Sequence, residues 1–174
     1  MRRLITAIAL LSVVSFGLVG CGSDSGDNAA GTQEHTISVS SCPTDNTKAF
    51  PKARFAANVG LIAGSFHRWI WKPYKAGKFK KGADGRILAT AKAVATALFI
   101  KHEVGNAVDN VRADPTLCKL LATPMSTIQT MVDKLGSSIK GGDVGTLIGL
   151  NGALGTLTGL LAKNGMPVTE TSKD

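Results

Sequence analysis

From Ala49 onward the apolar positions return every third or fourth residue, the spacing of a helix that buries one face. Phe55, Val59, Ile62, Phe66 and Ile70 make the first such stripe. Lys72-Pro73 should close it, because the residue before a proline is pushed out of the helical region. Tyr74 to Gly82, basic and glycine-containing, then reads as a loop. Asp84 suits the N-cap of a second helix. Ile87, Ala91, Val94 and Leu98 line one face of that helix, and Ile100, Val104, Ala107 and Val111 continue on a rotated one. From Gly85 to Arg112 it would run about 42 Å, so a kink is expected near Gly105.

Asp114-Pro115 places a capping side chain before a proline at the first helical position, a strong start signal. Thr123-Pro124 repeats that signal, so a break is expected there. Leu117, Leu121, Met125, Ile128, Val132, Leu135 and Ile139 nonetheless keep one stripe across it. Gly141-Gly142 stops this unit, and Asp143 caps a last helix with a leucine stripe of Leu147, Leu150, Leu154, Leu157 and Leu161. Asn164-Gly165 and Pro167 end it. No strand pattern competes. The expected fold is all-α, a small bundle of four main helices.

The first 41 residues follow a different pattern. Arg2 and Arg3 precede an uncharged apolar run, Leu4 to Val19, and small residues lead up to a cysteine. This is the layout of a secretory signal peptide, and the run is short of the ~20 residues a spanning helix needs. Leu18-Val19-Gly20-Cys21 resembles the lipobox of bacterial lipoproteins. The resemblance covers residues 1–21 alone. It implies diacylglycerol on the Cys21 sulfur, cleavage just before it, and acylation of the new N-terminus, with palmitate as a typical chain. Two or three acyl chains hold a protein at a membrane, where one gives only marginal binding. Where an outer membrane exists, an Asp after the lipidated cysteine can retain the protein at the inner one; Gly22 stands here.

The organisation expected is therefore a signal peptide over 1–20, a lipidated flexible tether over 21–41, a helical domain over 42–165 and a loose tail over 166–174. Gly22 to Ser41 is too polar to order itself. About 20 flexible residues reach roughly 25 Å root-mean-square. The protein would be exported and held by its lipid on the outer face of the cell membrane, or in an outer membrane if the envelope has one. With Cys21 lipidated, Cys42 and Cys118 are expected to pair as a disulfide in that oxidising setting, two free buried thiols being the alternative.

Charge separates the chain into two regions. The 154 residues after the leader carry 18 lysines and arginines against 12 acids. Lys48 to Lys101 holds twelve of those cations and one acid, Asp84. Within it, Arg68, Trp69, Trp71, Lys72, Tyr74, Lys75, Lys78, Lys80 and Lys81 interleave cations with aromatic rings. Trp and Tyr favour the headgroup level of a membrane, and each Lys or Arg adds about 1 kcal/mol on anionic lipid. Nucleic acid would suit the same mixture, but export argues against it. Anionic lipid headgroups, wall polymers or another envelope protein fit the location. The bland alternative is a solvated basic turn whose tryptophans pack into the bundle end.

Other chemistry finds little support. Val144 to Ala162 is uncharged and carries Gly145-xxx-Gly149 and Gly155-xxx-Gly159, small-residue spacings that let membrane helices approach closely. A core helix whose glycine face packs on a neighbour is the simpler reading. His67 and His102 sit on different expected helices and suggest no metal site. Ser65 lacks a nucleophile-elbow pattern, Glu103 and Asp109 read as solvated carboxylates, and the glycines near Gly141 lack a P-loop lysine. No catalytic residue and no cofactor is assigned. The expectation is a non-enzymatic envelope protein whose basic aromatic corner meets an anionic membrane or wall surface. A protein-interaction or inhibitor-type module and a carrier of a small apolar ligand are the alternatives. Salt-sensitive vesicle binding, capture of a discrete protein and co-purifying lipid distinguish the three.

Overall fold

The computed structural model describes residues 41–172. The leader, Cys21 and nearly all of the tether lie outside them. The described residues fold as one compact helical unit with no strand. α1 (Pro51–Phe66) continues through a wide π-turn (His67–Trp71) into the short α2 (Lys72–Lys75). α3 (Arg86–Arg112), α4 (Pro115–Gly141) and α5 (Val144–Lys163) follow, each reversing direction on the last across a short connection. α3 packs between α1 and α4, and α4 carries α5. The four main helices expected are present.

The core is made by the stripes read from the sequence. All five residues of the α1 stripe, all seven of α4 and all five leucines of α5 are buried. Two caps are in place: Asp114 Oδ1 accepts from the Leu117 amide at 2.8 Å, and Asp143 Oδ1 from the Gly145 amide at 2.9 Å. Hydrogen bonds from the Thr146 hydroxyl, the Gly145 amide and the Ser138 hydroxyl hold the Asp143 carboxyl below its ordinary range.

Several boundaries differ from expectation, each for a local reason. Pro73 does not end the first helix. The turn before it opens so that the Lys72 amide reaches back five residues to the His67 carbonyl, which makes room for the proline ring. The loop therefore starts at Ala76, two residues late. Asp84 is not a cap; Gly85 takes that place, with φ 71°, a conformation favouring glycine. α4 continues through Pro124 as one helix, its buried stripe outweighing one lost backbone hydrogen bond. Most of the glycine face of α5 does not pack on a neighbour: Gly152, Gly155 and Gly159 border open space, Gly145 meets the capping Asp143, and Gly149 abuts Met131 of α4. α5 has the length and mean hydropathy, 1.4, of a membrane span, but its leucines are spent on the bundle core.

The largest departure is on α3. Its buried side is Ala93, Ala97, Ile100, Val104, Ala107, Val108 and Val111. Of the stripe expected to lead it inward, Val94 packs half-buried against the core while the rest faces solvent: Ile87 and Leu98 are 86% and 67% exposed, beside Leu88 at 61%.

Cys42 and Cys118 are joined by a disulfide with Cα atoms 5.6 Å apart. At the same end of the bundle the Thr47 amide donates to the Ala113 carbonyl at 2.9 Å. The chain thus reaches α1 beside the α3–α4 turn, opposite the basic loop.

Residues 166–172, read from the sequence as a loose tail, lie along α1. The Thr171 amide donates to the Gly60 carbonyl at 3.0 Å, and Glu170 meets His67 Nδ1 at 2.8 Å. Gly60 and Gly64 have no room for a side chain, because a Cβ there would strike the backbone of Thr169 or Thr171. Gly64→Ala is accordingly expected to lift this segment from α1. Amide exchange in a C-terminal peptide should accelerate toward unprotected rates. Gly152→Ala, with open space at its Cβ, should leave exchange there unchanged.

Candidate functional site

The corner is assembled by the end of the first helix and the loop after it. The wide turn decides which aromatic faces where. Trp71 lies 6.2 Å from the buried Phe66 ring, the planes 24° apart, and Tyr74 sits 5.4 Å from Trp71. These two rings fix the corner to the core. Trp69 points the other way, with the Arg68 guanidinium 4.9 Å and the Lys92 ammonium 5.3 Å from its centroid. Lys75 lies 5.9 Å from Trp71. Trp71 is therefore anchored on the core, while Trp69, also half-buried, is flanked by two cations.

Beyond Lys75 the chain makes a series of tight turns. The Gly77 amide donates to Tyr74, Lys80 to Gly77, Ala83 to Lys80 and Arg86 to Ala83, each at 2.9–3.1 Å through the backbone. Gly77 (φ 68°) and Gly82 (φ 84°) supply the left-handed positions these turns need. The Arg86 side chain closes the loop by donating from Nε to the Phe79 carbonyl at 3.1 Å.

The structure brings all nine corner residues to one part of the surface, and none is buried. Among the described residues, no carboxylate pairs with Lys72, Lys75, Lys78, Lys80 or Lys81. Cations elsewhere do find acids: Lys101 bonds Asp133 at 2.7 Å, and Lys48 lies 3.9 Å from Asp109. A groove of ≈ 660 Å³ lies between Arg68, Trp71, Lys72 and Lys75 on the helix and Glu170 on the docked tail. Its lining is cationic on one side, with a single carboxylate already paired to His67 on the other.

The remaining candidates are dispersed. His67 bridges Glu170 and Asn151, its Nε2 3.1 Å from Asn151 Oδ1, while His102 is exposed on α3. No group of three His, Cys, Asp or Glu converges among the described residues. Ser65 is buried and its hydroxyl has no partner, so no substrate reaches it. Glu103 and Asp109 do not share a face. Asp109 is exposed, whereas Glu103 is 8% exposed and accepts from Asn58 Nδ2 at 2.7 Å.

That contact belongs to a network absent from the reading of the sequence. Asn110 Nδ2 donates to Asn58 Oδ1 at 3.0 Å and to the Asn106 carbonyl at 2.9 Å, which ties α1 to α3. Three scattered polar residues carry no periodic signal, so only the packing of the two helices reveals them. The one available hint was position: Asn58 falls just before Val59, and Asn110 just before Val111, on stripes that go inside. No protein-family model, characterised protein or solved structure matches this chain.

Proposed function

We propose that this is a lipid-anchored, non-enzymatic envelope protein whose basic aromatic corner binds an anionic, phosphate-bearing surface. The single observation that supports this reading is the set of five exposed lysines with no carboxylate partner among the described residues, beside a cation-flanked Trp69. Like charges held together in excess of the nearby acids repel, and a polyanion relieves that repulsion while the counterions of both surfaces are released. The rings add an amphipathic contact at headgroup depth. Anionic lipid headgroups and wall polymers offer the same chemistry, and binding the two separately tells them apart.

The test is co-sedimentation of residues 34–174 with vesicles of phosphatidylcholine alone and of an equal mixture with phosphatidylglycerol. This segment is suitable because the buried core and the disulfide lie wholly within it. Binding to the anionic vesicles only, weakened at high salt, is the expected result. Each lysine among Lys72, Lys75, Lys78 and Lys80 changed to Gln should weaken it by about 1 kcal/mol, roughly fivefold. No binding to anionic vesicles, with retention on isolated wall polymer, would assign the corner to the wall. No binding to either would remove the proposal.

A further inference from the structure

The outward apolar residues of α3, unlike its Arg86 and Lys92, have no part in the corner as described. Six large apolar side chains are exposed among the described residues. Ile87, Leu88 and Leu98 stand on the first half of α3, and Val144 and Ile148, 45% and 53% exposed, on the first turns of α5. Phe50 alone is at the opposite end of the bundle. Single exposed leucines are ordinary, but five gathered toward one end form a patch that asks for a partner.

Cations outnumber acids around this patch, where the exposed carboxylates are Asp84 before α3 and Asp143, which caps α5. Between Gly85 and His102, α3 carries Arg86, Lys92 and Lys101 and no acid. Ile87, Ala91, Val94 and Leu98 line a shallow groove closed at its end by Arg86 and Lys140. Those same two cations border the neighbouring depression, with Phe79, Lys80, Lys81 and Val144. The apolar surface of α3, the start of α5 and the basic loop are therefore one continuous face. It joins the corner directly, since Lys92 lies over Trp69.

An apolar ridge with a lysine and arginine rim matches one kind of surface closely. At a bilayer interface apolar side chains sink to the acyl boundary while long cationic ones reach back to the headgroups. We infer that the Ile87–Leu98 ridge of α3 inserts into the headgroup–acyl boundary of an anionic membrane, with Arg86, Lys92 and Lys140 on its phosphates. This inference rests on the corner's anionic-surface reading and names the source as lipid. It also turns the corner from a charge-only contact into the edge of an inserted face.

The experiment uses residues 34–174 with the same two vesicle types. Ile87→Ser/Leu98→Ser changes only exposed side chains, so its thermal unfolding should match the parent. It is expected to bind anionic vesicles about tenfold more weakly, with the residual binding still salt-sensitive. Leu88→Cys, labelled with an environment-sensitive fluorophore, should shift to the blue on anionic vesicles. Unchanged affinity in the serine variant together with no blue shift would overturn the ridge while leaving the corner's reading intact. If the parent protein binds no vesicle, the ridge's membrane assignment is overturned, and retention on isolated wall polymer then decides the corner's reading separately. If it is a dimer in the absence of vesicles and the serine variant is a monomer, the ridge is covered by a second copy, and the membrane assignment is overturned.

Discussion

Reducing the Cys42–Cys118 bond is expected to lower the unfolding free energy by about 4 kcal/mol on the chain-entropy model. The bond closes a separation of 76 residues, so it removes a large share of the freedom of the unfolded chain. Against a typical total of ~5–15 kcal/mol this is a major contribution. The native helices should survive reduction, because all four share a core that includes Cys118 but does not depend on the bridge. What should loosen is the segment before α1, held otherwise by the Thr47 to Ala113 hydrogen bond and the distant Lys48–Asp109 pair. Urea unfolding with and without reductant, followed by circular dichroism, measures the effect. The midpoint should fall while the starting signal stays the same, and Cys42→Ser/Cys118→Ser should match the reduced protein. Coincident curves would show that the bond contributes nothing.

Ile100→Ala should cost about 2–5 kcal/mol, whereas Leu98→Ala, two positions away, should stay within ~0.5 kcal/mol. Ile100 is completely buried in the core cluster shared by α1, α3 and α4. Its truncation removes transfer energy and leaves a cavity that rigid neighbouring helices cannot fill. Leu98 projects into solvent and loses little by becoming alanine, a better helix former. Chemical denaturation of the two variants side by side tests the orientation of α3. Comparable losses at both positions would mean that the helix is rotated from the placement described.

That pair of residues also shows where the sequence was informative and where it was not. In α1 and α4 the large apolar residues concentrate on one face, and in α5 five leucines outweigh Val144 and Ile148 outside the stripe, so the pattern favours one orientation. In α3 both faces are apolar, and spacing alone cannot choose between them. The choice is made by Ala93, Ala97 and Ala107, whose small side chains let α3 approach α1 and α4 closely. A reading that weights large side chains picks the wrong face. The prolines fail for a related reason: local rules place breaks at Pro73 and Pro124, and a wide turn or a well-buried stripe overrides each. The corner was legible as a segment, because composition is local. That Trp71 anchors it and cations flank Trp69 depends on one extra residue in a helical turn, which no periodicity reveals.

The docked tail has a practical consequence for how this protein is handled. Ser172 accepts a hydrogen bond from Arg68 at 3.1 Å, so the chain leaves the bundle beside the basic corner. The described chain enters the bundle beside the α3–α4 turn, about 30 Å along α3 from Lys92. A C-terminal affinity tag would hang over the groove beside Trp71 and Lys72, and an acidic epitope tag there would occupy the lysines under study. Fusions intended for surface-binding assays belong at the N-terminal side of Cys42, where a carrier stands clear of both the corner and the ridge.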